Sequence, residues 1–387
     1  MTRCPHCFHR LTPDVFAWTC MSGRCELRPD PEASALHGAP VSVGPVVRVE
    51  KPNPAPRHWE PPRTVPCPSC SVPAQDACPD CRYALPADWR EGQATCIAMA
   101  GARATGKSVY VGVLVKLLGQ LAERLGTSLA PANERTQVVY RTVYERALFE
   151  QRGLMAPTAA AHVRDSYQRE PLVYSLGILG GRRRFLVLRD VAGEDIEGPN
   201  ADAAYLSFFR HADGVIFMFD PLRVPEIRDQ LHDLVPAELR SGGDPMEVLA
   251  KVLRLVDPES TRVAVVLSKF DAMQALSAVE GTGWNRVMSN TGAGFLRDSG
   301  VGDGRYDEED GQLLHLEVRS LLQRLGASAL VTSLERPHRG YGVPHRFFAV
   351  SALGEPAEGE ALHQRGISPF RCLDPVRWLL SADGSLL

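Results

Sequence analysis

The stretch IAMAGARATGKSVYVGVL, residues 97–114, restricts the possible folds of this chain more than any other. An apolar run breaks into small residues around Gly101 and Gly106, then resumes with helical periodicity after Lys107 and Ser108. GARATGKS fits the pattern G-x-x-x-x-G-K-[ST], and it stands where that pattern's chemistry requires, after a strand and at the mouth of a helix. Glycines let the backbone curl so that its N–H groups and the helix N-terminus face an anion. On this reading Gly101, Ala102, Arg103, Ala104, Thr105 and Gly106 form a phosphate cradle. Lys107 reaches the β- and γ-phosphates, and the Ser108 hydroxyl binds Mg²⁺. The chain holds five lysines against 38 arginines, so a lysine at 107 departs from local habit. A compact ammonium is what such a cradle uses, and a guanidinium fork does not replace it. The plain alternative is a glycine-rich turn with no ligand.

From residue 94 onward, apolar runs at 95–100, 172–178, 184–190, 214–220, 262–268 and 346–350 alternate with helical patterns. That rhythm predicts an α/β sheet with helices on both faces. A helix over about 308–325 puts Leu314, Val318, Leu321, Leu322 and Leu325 on one stripe, and Gly326 stops it. Residues 172–178 and 183–190 flank Leu179-Gly180-Gly181-Arg182, a hairpin turn signal.

Three later positions bear on which nucleotide the loop holds. DVAG, Asp190 to Gly193, ends the second hairpin strand and fits D-x-x-G; Asp190 would hold Mg²⁺ through water and the Gly193 N–H would sense the γ-phosphate. In VAVVLSKFD an apolar strand ends in Ser268-Lys269-Phe270-Asp271, which looks like the [NT]-K-x-D guanine motif. Asp271 can accept hydrogen bonds from the guanine ring N–H and exocyclic amine, while the Lys269 stem packs along the ring. Serine replaces the usual asparagine or threonine at 268, where a hydroxyl can still bond toward the loop. Ser351-Ala352-Leu353 in FFAVSALG is similar to the S-A-x segment whose backbone contacts the guanine carbonyl.

Taken in order, these motifs make residues 94–380 resemble a P-loop GTPase of the small-GTPase-like type. The resemblance implies a mostly parallel sheet with one antiparallel strand, GTP or GDP with Mg²⁺ as cofactors, and a guanine nucleotide as ligand. The cysteine knuckles, DVAGED, FMFDP and the closing DPVRWLL resemble more narrowly the bacterial double-GTPase family, type 2. That likeness implies a role in signalling or conflict systems beside partner proteins, including a second GTPase. A switch I threonine is assigned to Thr158 in GLMAPTAAAH, whose alternative role is a helix cap. Many GTPases carry glutamine just after D-x-x-G, whereas this chain has Glu194-Asp195. Glu194 can orient the attacking water, but it brings negative charge toward the γ-phosphate, so slow hydrolysis with a partner supplying the missing charge is expected. Arg182 to Arg184 could donate that charge in trans.

Eight of the ten cysteines lie before residue 82, as Cys4/Cys7, Cys20/Cys25, Cys67/Cys70 and Cys78/Cys81. In a chain without a secretory signal, C-x-x-C pairs read as thiolate ligands of Zn²⁺, two knuckles completing a tetrahedral site. Reading along the chain gives one zinc-ribbon-like module at 1–25, in which His6 or His9 could replace a sulfur, a proline-rich linker at 26–66, and a second module at 67–92. Pairing across the two sets remains open, as does a redox dithiol. Residues 93–387 form the nucleotide-binding domain, with a mobile glycine-rich insertion at 281–304.

The net charge is −3, and before position 93 ten basic residues balance ten acidic ones, which argues against a nucleic-acid surface. With neither a signal peptide nor a membrane-spanning run, a cytoplasmic location is expected. Two classes of function follow: a GTP-hydrolysing switch, or a nucleotide-stabilised, zinc-containing scaffold with little turnover. An ATPase is a third option.

Overall fold

The structure is a computed structural model that describes all residues except 1, 58, 154–169, 199–202, 226, 228–243, 275–276, 278–282, 301, 303–305, 337–341, 356–365 and 382–387. Its N-terminal part contains strands β1 (Val15–Thr19), β2 (Arg28–Pro29), β3 (Ser42–Val43), β4 (Val46–Glu50), β5 (Val65–Pro66) and β6 (Pro73–Ala77). Four of these form an antiparallel sheet in the order β4-β1-β6-β5. Phe16, Trp18, Val65 and Ala74 make its small core, too little apolar surface to stand without further staples.

The linker expected at 26–66 is corrected by this arrangement. Its residues Val46–Glu50 pair along the whole of β1, and Pro31–His37 forms a helix capped by Asp30 and ended by left-handed Gly38. The described residues of 51–64, which include Pro52, Pro54, Pro56, Pro61 and Pro62, form neither strand nor helix, so the irregular stretch is shorter than expected.

The larger body is a seven-stranded sheet of β7 (Gln93–Ala100), β8 (Ala130–Pro131), β9 (Leu172–Leu179), β10 (Arg182–Arg189), β11 (Gly214–Phe219), β12 (Arg262–Leu267) and β13 (His345–Ala349). Their spatial order is β13-β12-β11-β7-β10-β9-β8. β13, β12, β11, β7 and β10 run parallel, and β9 runs against β10 as the hairpin signal implied. Every residue of β11 is buried, which requires cover on both faces and explains why these strands read as unbroken apolar runs. Because consecutive strands lie on either side of β7, the chain reverses direction of winding there, which opens a crevice at the strands' carboxyl ends.

Two helices bear on the site. Lys107–Arg124 buries Tyr110, Val111, Leu114, Leu118 and Leu121 against the sheet, and its N-cap is Gly106 at φ 85° with no side-chain cap bond. The first-turn N–H groups are thus left for an anion. Glu308–Arg324 buries Leu314, Val318, Leu321 and Leu322 as the stripe required, and Gly326 follows at φ 81°. Within 281–304, the described part carries a helix at Gly283–Met288 and a 3-10 turn at Gly294–Leu296. Ala293 and Phe295 are buried and the Phe295 N–H donates to Glu317, so this part packs on the domain. Among the described residues no helix is long and apolar enough to cross a membrane.

Candidate functional site

Five parallel strands deliver the motif residues to one edge of the sheet. β7 ends at Ala100 and leads into the loop; Gly101 takes φ 144°, and a Cβ there would lie 2.1 Å from the Met218 carbonyl oxygen of β11. Only glycine fits that approach. Ala104 holds a left-handed φ of 55° and Gly106 one of 85°, so the backbone curls twice within six residues. Thr105 Oγ1 donates to the Ala102 carbonyl at 3.0 Å and closes the loop from within.

Lys107 is buried beneath this curl and its Nζ donates to the carbonyls of Gly101 (2.7 Å) and Ala102 (2.9 Å). Burial pushes its pKa down, the carboxylates of Asp190 and Glu197 oppose that, and Arg223 adds to it. Ser108 Oγ donates to Asp190 Oδ2 at 3.0 Å. Asp190 is 5% exposed, and burial pushes its carboxyl pKa up against the pull of Lys107 and the Ser108 hydroxyl. Its second oxygen, Oδ1, is buried and has no hydrogen-bond partner among the described residues. A hydroxyl and a carboxylate with an orphaned oxygen form the hard oxygen donor set that Mg²⁺ takes.

Gly193 starts the short helix Gly193–Glu197 against the loop backbone; a Cβ on it would lie 2.5 Å from the Arg103 nitrogen. Glu194 Oε1 is 3.1 Å from Arg103 Nη2, and Glu197 accepts from the Arg103 N–H at 3.0 Å. The negative charge that sequence reasoning assigned to Glu194 therefore already faces an arginine of the same loop, which no motif signalled. Arg223, after β11, was also missed; its Nη1 donates to the Arg103 carbonyl at 2.8 Å.

At the other end of the crevice, Asp271 Oδ1 accepts from Ser351 Oγ at 2.5 Å, and Ser351 Oγ accepts from the Gly354 N–H at 2.9 Å. The two short motifs, 80 residues apart, are thereby joined. Ala352 and Leu353 continue that turn, with the Leu353 carbonyl accepting from the Ser368 N–H. Ser268 departs from expectation: its hydroxyl donates to the Phe219 carbonyl of β11 at 2.9 Å rather than toward the phosphate loop. Lys269 takes a left-handed φ of 51°, and its Nζ donates to buried Asp220 at 2.9 Å. Asp220 belongs to FMFDP, so that strand end anchors the lysine. Since only β11 separates β7 from β12, Lys107 and Asp271 leave the same edge about two strand spacings, roughly 10 Å, apart. Thr158 lies outside the described residues. Arg182 to Arg184 start β10, with Arg184 level with Gln93, so they occupy the opposite edge of the sheet.

The cysteines correct the order read along the chain. Cys4 and Cys7 converge with Cys78 and Cys81, and Cys20 and Cys25 with Cys67 and Cys70. Cys4–Cys81 sulfurs lie 3.6 Å apart, and Cys7–Cys78, Cys20–Cys70 and Cys25–Cys67 each 3.7 Å. A tetrahedral Zn²⁺ with Zn–S bonds of about 2.3 Å holds its sulfurs about 3.8 Å apart, so both quartets fit that ion. Neither quartet needs a histidine: His9 Nδ1 lies 2.9 Å from Asp80 Oδ2, and His6 stacks on His37.

The family model described as Double-GTPase 2 matches residues 95–325, more than half of the chain. A Mycolicibacterium smegmatis protein named "Putative ESX-1 scaffolding and assembly protein SaeC" is 51% identical over 388 residues, the match covering all of both chains. Among solved structures, the Saccharomyces cerevisiae Ski7 GTPase-like domain is matched twice. The form bound to GDP and inorganic phosphate shows 12% identity at a TM-score of 0.36, and the GTP-bound form 10% at 0.37. Each match covers 77% of this chain and about half (51%) of the solved one. The family match begins at the strand that feeds the phosphate loop and runs through D-x-x-G and S-K-x-D, the elements whose convergence was described above, and on it this chain belongs to the Double-GTPase 2 family.

Proposed function

We propose that the chain binds GTP and GDP with Mg²⁺ at the carboxyl edge of its large sheet and hydrolyses GTP slowly, its nucleotide state governing association with protein partners. The observation that carries this reading is the pairing of two distant constellations across one crevice. Lys107 and the Ser108–Asp190 pair stand at one end, and Asp271 braced by Ser351 at the other. Family membership supports it. When bound, Mg²⁺ would supply charge neutralisation at the β- and γ-phosphates, and Ser108, Asp190 and, from switch I, Thr158 would hold it. Gly101 to Gly106 offer backbone N–H groups to the phosphates, and Gly193 and Glu194 face the γ-phosphate side. Ser351, Ala352 and Leu353 border the base. The two cysteine quartets would each hold one Zn²⁺ and brace the N-terminal sheet.

A second reading has its own support. The relative at 51% identity is named a scaffolding and assembly protein, which favours a nucleotide-stabilised scaffold with negligible turnover. Multiple-turnover phosphate release separates the two: steady release supports the enzyme, and stoichiometric retention of nucleotide without release supports the scaffold.

The base assignment is tested by nucleotide competition on the wild type and Asp271→Asn. The variant is expected to lose guanine affinity by about ten-fold or more, from loss of a charge-assisted pair, and to shift preference toward xanthine nucleotide. Unchanged guanine affinity would overturn it.

A further inference from the structure

We propose that Arg103 is a catalytic arginine supplied in cis, exchanging Glu194 for the γ-phosphate when GTP is bound; this rests on the GTPase reading above. Glu194 puts a carboxylate where a neutral amide is usual, which leaves the reaction short of positive charge unless a partner supplies it. The structure puts a guanidinium within the phosphate loop itself. Arg103 Nη2 lies 3.1 Å from Glu194 and its Nε 3.7 Å from Glu197. The Arg103 and Glu194 side chains are 56% and 33% exposed, so the pair is screened by water and breaks at little cost.

The backbone that carries Arg103 is held by hydrogen bonds, whereas its side chain makes only solvent-screened ion pairs. Glu197 accepts the Arg103 N–H, and the Arg103 carbonyl accepts from Arg223, whose side chain is 11% exposed and pairs with Asp220. A fixed Cα with a movable guanidinium at a phosphate cradle is the arrangement a transition-state clamp needs. Arg182 to Arg184 start at the opposite edge of the sheet and cannot serve this site from within the chain.

The exchange does two things at once. In the transition state the water oxygen bonds to the γ-phosphorus as the bond from that phosphorus to the β–γ bridging oxygen breaks. The electron pair leaves on GDP, and a water proton passes by way of Glu194 to the released phosphate. Arg103 stabilises the charge spread over the γ-phosphoryl and leaving oxygens, and its departure frees Glu194 to orient the water and take its proton.

Single-turnover hydrolysis and fluorescent GTP binding are measured on the wild type, Arg103→Ala and Arg103→Lys. The expected result is a loss in the hydrolysis rate constant of about 10²-fold or more for Arg103→Ala, with GTP affinity within about three-fold of the wild type. Arg103→Lys should recover little, because an ammonium lacks the planar fork, while free guanidinium ion should partly restore Arg103→Ala. Hydrolysis by Arg103→Ala at or above the wild-type rate overturns the inference and makes the pair a latch instead. Failure of the wild type to bind or turn over GTP sinks the underlying reading, so the two failures are distinguishable.

Discussion

Folding takes the Asp190 carboxyl out of water at a cost that Lys107 and Ser108 offset only in part. This carboxyl is buried, and Oδ1 has no hydrogen-bond partner among the described residues. Burial raises its pKa, so the folded chain holds this proton more tightly than the unfolded chain does. For a carboxyl whose folded pKa lies above its unfolded one, the stabilising contribution is present at low pH and is lost as pH rises through that interval. Asp190→Asn is therefore expected to raise the unfolding midpoint of the ligand-free protein at neutral pH and to flatten this pH dependence. The same variant should lose the Mg²⁺-dependent part of nucleotide stabilisation. Thermal scans with and without Mg²⁺ and GTP read both effects, and an unchanged Mg²⁺ response would separate Asp190 from the metal. At this scale motif residues were legible, because each is a residue type whose chemistry has few substitutes. Arg103, Asp220 and Arg223 were not, because a charged side chain in a sequence reads as a solvated one until a partner is seen.

Among the elements, the strand-loop-helix unit depends on a backbone conformation rather than on a side chain. Gly101 passes under the Met218 carbonyl of β11, and any Cβ would strike a main-chain atom that cannot rotate away. Gly101→Ala is expected to destabilise the protein by about 1–3 kcal/mol and to weaken GTP binding through a displaced Lys107. Denaturant unfolding paired with GTP titration checks it; an unaltered unfolding midpoint would mean that the loop yields. Elements were legible where periodicity was long. The five parallel strands and Glu308–Arg324 fall within a residue or two of the positions read from their apolar runs. The two-residue strands were not legible, since β2, β3, β5 and β8 are too short to repeat a pattern. Helical turns within the glycine-rich segment escaped for the same reason.

At the scale of the whole molecule, the two cysteine quartets have unequal consequences. Cys4, Cys7, Cys78 and Cys81 belong to the same buried core as the large sheet, together with Phe8, Leu85 and Trp89. Arg189, next to Asp190 in sequence, donates to the His6 carbonyl and stacks over Phe208 at 3.8 Å. The other quartet sits with the small sheet and its separate core, and Cys25 and Cys70 are only half-buried. Both Cys78→Ser and Cys67→Ser are expected to lower zinc content from two ions toward one per chain. Only Cys78→Ser should also lower the unfolding midpoint of the body built on the seven-stranded sheet, by about 5 °C or more. Metal analysis with calorimetry checks this, and equal shifts from the two variants would contradict the division of the cores.

What the sequence determined by itself was motif and rhythm: a glycine-rich loop with Lys107 after one strand, S-K-x-D after another, a parallel α/β order, and closely spaced cysteine pairs. These are local properties, set by a few adjacent residues or by one repeat period. Tertiary structure alone decided which cysteines converge, since sulfurs 42 to 77 residues apart in sequence meet through the pairing of β1 with β4 and β6. It also decided that Arg103 faces Glu194 and that Ser351 braces Asp271. Such contacts depend on how strands order themselves in the sheet, and that order is chosen by burial of the whole core, a quantity no single stretch of chain contains.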